Sequence, residues 1–327
     1  MLNEYNDVLV TGGLGFIGRH LVYALLDSGK HVTILDHHGR TSYDTTIPEG
    51  AALVQADIRC SEQLVQVVKN VDLIFHVAAN ADGSLSVENP RFDFETNGIG
   101  TFNILEAASR VALKKFVYIS SASVYGKPEY TPMDELHPTR PFVPYGASKL
   151  MGELSAFSFY HSRGLPIAVA RPFCVYGPGE NPKHALVEVS RYVRWHLNRQ
   201  PIRVIGNARR KTRDFVHVSD LVQGLLLIAD RAESGEIFNI GSGEELSMLD
   251  LATVIGAVTA HEIRINEIAL VTQDTYRLVA NIEKIKALGY VPRVSINEGV
   301  RQLVEQLGDY PELSSGATIF AQGQIAE

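Results

Sequence analysis

The chain has 327 residues, 45% of them hydrophobic and 20% charged, which is ample for a buried core and for more than one lobe. Its formal net charge of −7 is spread over a mixed surface, which argues against broad binding to nucleic acid or to a membrane surface. No apolar stretch approaches the roughly 18–20 uncharged residues that span a bilayer, and the two cysteines, Cys60 and Cys174, supply neither a disulfide framework nor a metal box.

The first residues, Met1 to Asp7, are polar and run straight into a strand without a leader pattern, so a cytoplasmic protein is expected. Short apolar runs at Val8–Thr11, His31–Asp36, Ala52–Gln55, Leu73–Ala78, Phe116–Ser121 and Ile167–Arg171 read as strands buried on both faces. Between them, Phe16–Ser28, Ser61–Asn70, Phe92–Val111 and Tyr145–Ser162 carry helical spacing. Regular alternation of this kind predicts an α/β fold, a doubly wound parallel sheet of Rossmann type with right-handed crossovers. After Arg171 the rhythm changes, with Pro172, Pro178 and Pro182 breaking the chain before a helix near Leu186–Asn198. The expected division is a dinucleotide-binding domain over residues 1–171 and a smaller, mainly substrate-binding lobe over residues 172–327. Two later segments, Asp214–Val218 and Phe238–Gly241, are expected to return to the main sheet, and Pro311–Glu327 carries little pattern.

The first strand runs into Gly12-Gly13-Leu14-Gly15-Phe16-Ile17-Gly18 and then an amphipathic helix. Glycines 12, 15 and 18 permit a tight turn, close approach of backbone to a pyrophosphate, and close helix–sheet packing. The helix start at Phe16 and Ile17 adds unpaired N–H groups and the positive end of a dipole. A second strand ends in Asp36, 21 residues after Gly15, where a carboxylate accepts bonds from the adenosine ribose and repels a 2′-phosphate. This favours NAD over NADP, although Arg40 lies close by. Asp57 and Ile58, after the third strand, are placed for the adenine. Ala78 and Ala79, after His76 and Val77, offer small side chains where a cofactor must lie against backbone. His76 itself reads as a structural histidine.

Tyr145 and Lys149 are four residues apart and share one helix face. An ammonium there would lower the phenol's pKa and hold the nicotinamide ribose, leaving Tyr145 to take a proton from a substrate hydroxyl. Ser121 ends the fifth strand, at the edge of the sheet that lines the ligand crevice, and can hydrogen-bond the reacting oxygen.

Taken together with His76-Val-Ala-Ala79, Ser120-Ser-Ala-Ser-Val-Tyr-Gly126, Arg171-Pro-Phe-Cys-Val-Tyr-Gly-Pro178 and Arg213-Asp-Phe-Val-His-Val218, these motifs resemble the NAD-dependent epimerase/dehydratase family of nucleotide-sugar enzymes. That family belongs to the extended short-chain dehydrogenases/reductases, and the likeness runs from about Val8 to about Gly289. The resemblance implies a catalytic Ser121, Tyr145 and Lys149, an Asn97 near the cofactor and the active-site helix, and Pro172 beside the cofactor. It implies an Arg213 that grips the substrate diphosphate, in keeping with the fork geometry of a guanidinium on phosphate oxygens. Cys174 stands where the family usually has an asparagine that touches the sugar nucleotide. The Arg-Pro-Gly-Asp often found before Asp274 here reads Val271-Thr272-Gln273-Asp274, which removes a second diphosphate arginine, with Arg277 as a substitute.

Sugar 4,6-dehydratases of the family commonly carry Asp-Glu directly after the catalytic hydroxyl, and related decarboxylases often carry a glutamate at the second position. Here the pair is Ala122-Ser123. The resemblance therefore implies a nucleotide-sugar epimerase, acting at C4 of a UDP-sugar through a 4-keto intermediate. The alternatives are a nucleotide-sugar dehydratase or decarboxylase, or a net-redox oxidoreductase on a non-nucleotide alcohol or ketone. Phe92–Val111 and Tyr145–Ser162 resemble helices that family members pair into a homodimer interface, for which Phe157, Phe159 and Tyr160 are candidates unless they belong to the core.

Overall fold

Val8, Leu9 and Val10 are buried on both faces of the first strand, as a strand inside a parallel sheet requires. The structure, a computed structural model, describes residues 2–37, 46–181, 187–269, 276–308 and 311. The first half of the chain runs β1 (Asp7–Thr11), α1 (Phe16–Asp27), β2 (His31–Asp36), β3 (Ala51–Gln55), α2 (Leu64–Val67) and β4 (Leu73–His76). It continues through α3 (Gly83–Glu88), α4 (Pro90–Asp93), α5 (Gly100–Ala108), β5 (Lys115–Ile119), α6 (Pro144–Arg163) and β6 (Ile167–Pro172). Next come β7 (Cys174–Tyr176), α7 (Glu188–Leu197), β8 (Ile202–Ile205), β9 (Thr212–Arg213), β10 (Phe215–His217), α8 (Val218–Arg231) and β11 (Glu236–Ile240).

Seven strands form one sheet in the order β3-β2-β1-β4-β5-β6-β11, every pair parallel. The chain leaves β1 toward β2 and β3 on one side, then crosses back to β4, so the order reverses between β1 and β4. That reversal opens a crevice at the carboxyl ends of the strands, the usual ligand site of such sheets. The fold is therefore a doubly wound Rossmann-type α/β sheet.

Both sheet faces are covered. Leu21, Leu25, Leu221 and Leu225 of α1 and α8 pack with Val10, Ile34 and Val117 on one side, while Ile104, Leu105 and Ala156 of α5 and α6 pack with Leu9, Phe116 and Tyr118 on the other. A third core, around Tyr192, Trp195, Phe215, Leu251 and Val300, lies under α7 and the helices Met248–Thr259 and Ile296–Leu307.

Three expectations need correction. Of the two later segments expected at the main sheet, Glu236–Ile240 joins it beside β6, but Phe215–His217 pairs with Cys174–Tyr176 in a separate two-stranded sheet. A three-residue apolar run shows that a strand is buried and does not show which neighbour it finds. Phe92–Val111 is not one helix: α4 ends at Asp93, a wider π-turn spans Phe94–Ile99, and α5 begins at Gly100. Ser61–Asn70 shortens to a 3-10 turn, Ser61–Gln63, and the single turn of α2. Among the described residues no helix is long and apolar enough to cross a membrane.

Candidate active site

The turn after β1 holds Gly12 at φ +68°, and a Cβ there would come within 2.7 Å of Ala78 Cα, so the two backbones touch at the switch point. Gly15 precedes α1 in an extended conformation and gives no side-chain cap to the first-turn N–H groups of Phe16 and Ile17. Gly18 is buried one turn further on. Asp36, 7% exposed, accepts from the Leu14 N–H at 3.1 Å and lies 3.2 Å from His37 Nδ1, so its carboxylate is tied to the glycine turn itself. These features fit a dinucleotide: a side-chain-free cradle, an uncapped helix start and an acidic group at the strand end.

His76 is fully buried, with Nδ1 at 2.7 Å from Thr11 Oγ1 and Nε2 at 3.0 Å from Thr101 Oγ1. The Thr11 hydroxyl also accepts from the Ala78 N–H at 3.1 Å, which leaves its proton for Nδ1. Burial, with the Lys149 charge adding to it, pushes His76 down to about 3, so it is a neutral strut that fixes Ala78. Ala79 follows it, half-buried. Ile58 is buried, whereas the Asp57 carboxylate is held by Arg59 through bonds of 2.6 to 3.0 Å. The expected adenine contact at Asp57 therefore starts from a group already engaged.

Tyr145 and Lys149 stand one turn apart near the start of α6, which opens with Pro144 at its first turn and closes at Gly164 in the left-handed region. Gly152 lets the helix press onto β5: a Cβ there would lie 2.1 Å from Tyr118 Oη, which donates to the Lys149 carbonyl at 3.1 Å. Lys149 is 2% exposed, its Nζ lies 4.8 Å from the centre of the Tyr118 ring, and burial pushes it down to about 8 against the pull of Glu153 and Asp93. Nζ makes no hydrogen bond that would occupy it among the described residues, as a group that binds a ribose needs. Ser121 lies just beyond β5, which ends at Ile119, and its Oγ accepts from the Ser123 N–H at 3.1 Å as the cap of a 3-10 turn. Burial pushes the Tyr145 phenol up to about 12, with the Ser121 hydroxyl drawing it back and Asp93 adding to the rise. The groups acting on the phenol in this structure are its burial, Ser121 and Asp93.

Asn97, 1% exposed, lies in the π-turn between α4 and α5. Its Oδ1 accepts from the Asn80 N–H at 2.7 Å, and its Nδ2 donates to Asn80 O, Asp93 Oδ1 and Ser148 Oγ at 3.0 to 3.1 Å. It thus staples the segment after β4 to the active-site helix. Pro172 closes β6 at the same edge of the sheet, fully covered.

On the other side of the crevice, Arg213 is 6% exposed, its Nη1 donates to Thr212 O at 2.9 Å and its Nε lies 3.6 Å from Glu188 Oε1. Burial would raise Glu188, but Arg213, Arg191 and Lys211 outweigh it and hold the carboxyl at about 2. Lys211 is buried along with Arg213, whereas Arg209 and Arg210 are exposed. Cys174 is half-buried, donates its N–H to Asp214 O at 3.1 Å, and its thiol is pushed up by burial and so stays protonated. Asp274 lies outside the described residues. Arg277 forms a bidentate pair with Glu245, both bonds 2.7 Å, on a half-exposed surface.

Sequence reasoning missed Glu153, Asp93 and Glu188. Glu153 had a signal, its place one turn beyond Lys149; it is 2% exposed, accepts from Ser120 Oγ and is gripped by Arg171 at 2.9 and 2.6 Å. Asp93 too had a signal, its place one turn before Asn97, whereas Glu188 had none because Arg213 lies far along the chain.

The turn, strand ends and helix pair define a nucleotide-cofactor site of the short-chain dehydrogenase/reductase kind. Residues 8–241 match the NAD dependent epimerase/dehydratase family, and the chain belongs to that family. It is an NAD-dependent enzyme of the extended short-chain type. A putative UDP-glucose 4-epimerase of Methanocaldococcus jannaschii is 36% identical over 91% of this chain and 97% of its own length. A dTDP-glucose 4,6-dehydratase of Streptomyces niveus is 33% identical over 92% of this chain and 93% of its own. The crystal structure of the UDP-glucose 4-epimerase of Thermus thermophilus in complex with NAD superposes with a TM-score of 0.84. It is 30% identical and covers 92% of this chain and 98% of that one.

Proposed function

We propose that this enzyme epimerises a nucleotide-activated sugar, a UDP-sugar, at C4 through a 4-keto intermediate. The observation that carries the reading is the short turn after Ser121: Ala122 is 2% exposed and the next residue is Ser123, so no carboxylate stands beside the catalytic hydroxyl to move protons during loss of water. Of the buried carboxylates nearby, Glu153 is held by Ser120 and Arg171, and Asp93 is held through Oδ1 by Asn80 and Asn97.

NAD, when bound, accepts a hydride and gives it back. Tyr145 takes the proton of the sugar's C4 hydroxyl and returns it later, while Ser121 Oγ hydrogen-bonds the reacting oxygen. A phenol held at about 12 is a reluctant base at neutral pH, and the Lys149 ammonium is the cation able to draw it down. Arg213 holds the diphosphate, and the ketone turns about that link before its other face is reduced. Gly12, Gly15, Phe16, Ile17, Gly18, Asp36, Ile58, Ala78, Ala79, Asn97, Lys149 and Pro172 would line the cofactor, residues 1–171 forming its domain and most of residues 172–327 the substrate lobe.

We read the assembly as a homodimer in the cytoplasm. Supporting it, Phe102 is 42% and Leu154 64% exposed along a groove between α5 and α6 that Met151 and Leu150 continue. The aromatic residues first considered for this face, Phe157, Phe159 and Tyr160, are partly buried against the core instead, with Phe159 in edge contact with Phe102. Leu154→Arg should convert a dimer to monomer in light scattering, and a monomeric native protein would refute the dimer.

The reaction is tested by mixing purified protein, without added cofactor, with UDP-, GDP- and dTDP-sugars and following the ring protons by NMR. A C4 epimer with no accumulation of NADH is expected. A 4-keto-6-deoxy product would make the protein a dehydratase, and no change in any sugar nucleotide would remove that substrate class.

A further inference from the structure

Asp93 closes α4 and is fully buried. Its Oδ1 accepts from Asn80 Nδ2 at 2.8 Å and from Asn97 Nδ2 at 3.1 Å. Its Oδ2 is equally buried and has no hydrogen-bond partner among the described residues. A carboxylate taken out of water with half its lone pairs unmet is costly. Its neighbours are the active-site helix residues: Asn97 ties Asp93 to Ser148, and Ser148 Oγ donates to the Tyr145 carbonyl at 3.0 Å.

We infer that Asp93 is a positioning residue of this active site, the fixed counter-charge for the buried Lys149 ammonium. The inference rests on Tyr145 and Lys149 being the working pair. The groups facing Lys149 from each packed element decide the matter. On α6, Tyr145 is a neutral phenol, and Glu153 is bonded twice by Arg171, which compensates its charge locally. On β4, His76 is neutral at any physiological pH, and on β5, Tyr118 is a neutral ring held well above the usual phenol range by burial. From α4 comes Asp93, bonded only to amides. Burial lowers the proton affinity of Lys149; Glu153 opposes this most and Asp93 next, but Glu153 is paired with Arg171 whereas Asp93 is bonded to amides alone. The same charge acts on Tyr145 in the opposite sense for function, resisting a phenolate until the ammonium is close. Asp93 thereby couples the two groups: the phenol ionises only when Lys149 is charged and in place.

The test is a titration of Lys149 itself, in full-length protein carrying lysine labelled with carbon-13 at Cε, the resonance assigned through Lys149→Met. In Asp93→Asn, which keeps size and the Oδ1 acceptor, the midpoint should fall by about one pH unit, a tenfold loss of proton affinity. Asp93→Ser should do the same, and circular dichroism and the melting transition show that each variant is folded at the titration temperature. With a UDP-sugar as substrate, the alkaline limb of kcat should move down by the same amount while KM stays unchanged. An unmoved Lys149 midpoint in either folded variant overturns the inference, as does a uniform fall in kcat with no shift of the limb. Should the wild type turn over no sugar nucleotide while the midpoint still moves, the proposed reaction falls and the role of Asp93 stands.

Discussion

Glu188 Oε1 lies 3.6 Å from Arg213 Nε, with both side chains largely shielded from water. The arginine that resemblance assigns to the diphosphate is thus already matched with a carboxylate at the start of α7, while Nη1 is anchored on Thr212 O.

If Arg213 holds the diphosphate as proposed, Arg213→Ala should weaken sugar-nucleotide binding by about 30- to 150-fold, the value of a lost charge-assisted bond, about 2–3 kcal/mol. The loss should appear in KM more than in kcat, measured by steady-state kinetics. It should also strand Glu188 beside Arg191 and Lys211, so its carboxyl should titrate above the present value of about 2.

Tyr145→Phe should cut turnover by about 10²–10⁴-fold, the usual worth of a positioned acid–base group. The backbone N–H of Tyr145 donates to Ser86 Oγ at 3.1 Å and survives the change, so melting temperature and NAD content should stay at wild-type values. Retained turnover would remove Tyr145 from the proton path.

Lys149 gives a pH signature in stability. Its folded-state value of about 8 lies below the 10.5 of an unfolded lysine, so between these values the unfolded chain holds a proton that the folded chain lacks. Unfolding free energy then rises with pH across that window, by at most about 1.4 kcal/mol per pH unit for one proton. Tyr145, displaced from 10.0 up to about 12, has the opposite sign above pH 10. Urea midpoints at pH 7, 8, 9 and 10 should show Lys149→Met more stable than wild type at pH 7, with the advantage shrinking by pH 10. A constant difference would contradict a depressed lysine.

Arg171 and Glu153 are 3% and 2% exposed and joined by two bonds, with Arg171 also over the Tyr125 ring at 4.8 Å. Arg171→Met should destabilise by about 3–5 kcal/mol by leaving a buried carboxylate alone. Glu153→Gln combined with it should recover part of that loss in urea unfolding. A double variant as unstable as the sum of the singles would mean the two residues are not coupled.

The local motifs were legible because each is read within one turn or one strand. The alternating apolar runs predicted all six first strands, the glycine turn lay between β1 and α1, and the four-residue spacing put Tyr145 and Lys149 on one face. Boundaries slipped where the backbone departs from one repeat. The π-turn at Phe94–Ile99 interrupts what reads as a continuous helix, and it is this interruption that turns Asn97 inward toward Asn80 and Ser148.

By itself the sequence determined the doubly wound sheet, the cofactor turn and the helix pair, because periodicity and short spacing are properties of neighbouring residues. Only the tertiary structure decided that β10 pairs with β7, that Glu153 belongs to Arg171, that Glu188 faces Arg213, and that Asp93 is buried against Asn80 and Asn97. A charged residue's spacing shows its face of a helix. Its partner and its pKa depend on which distant segment closes over it and how much water that closure removes.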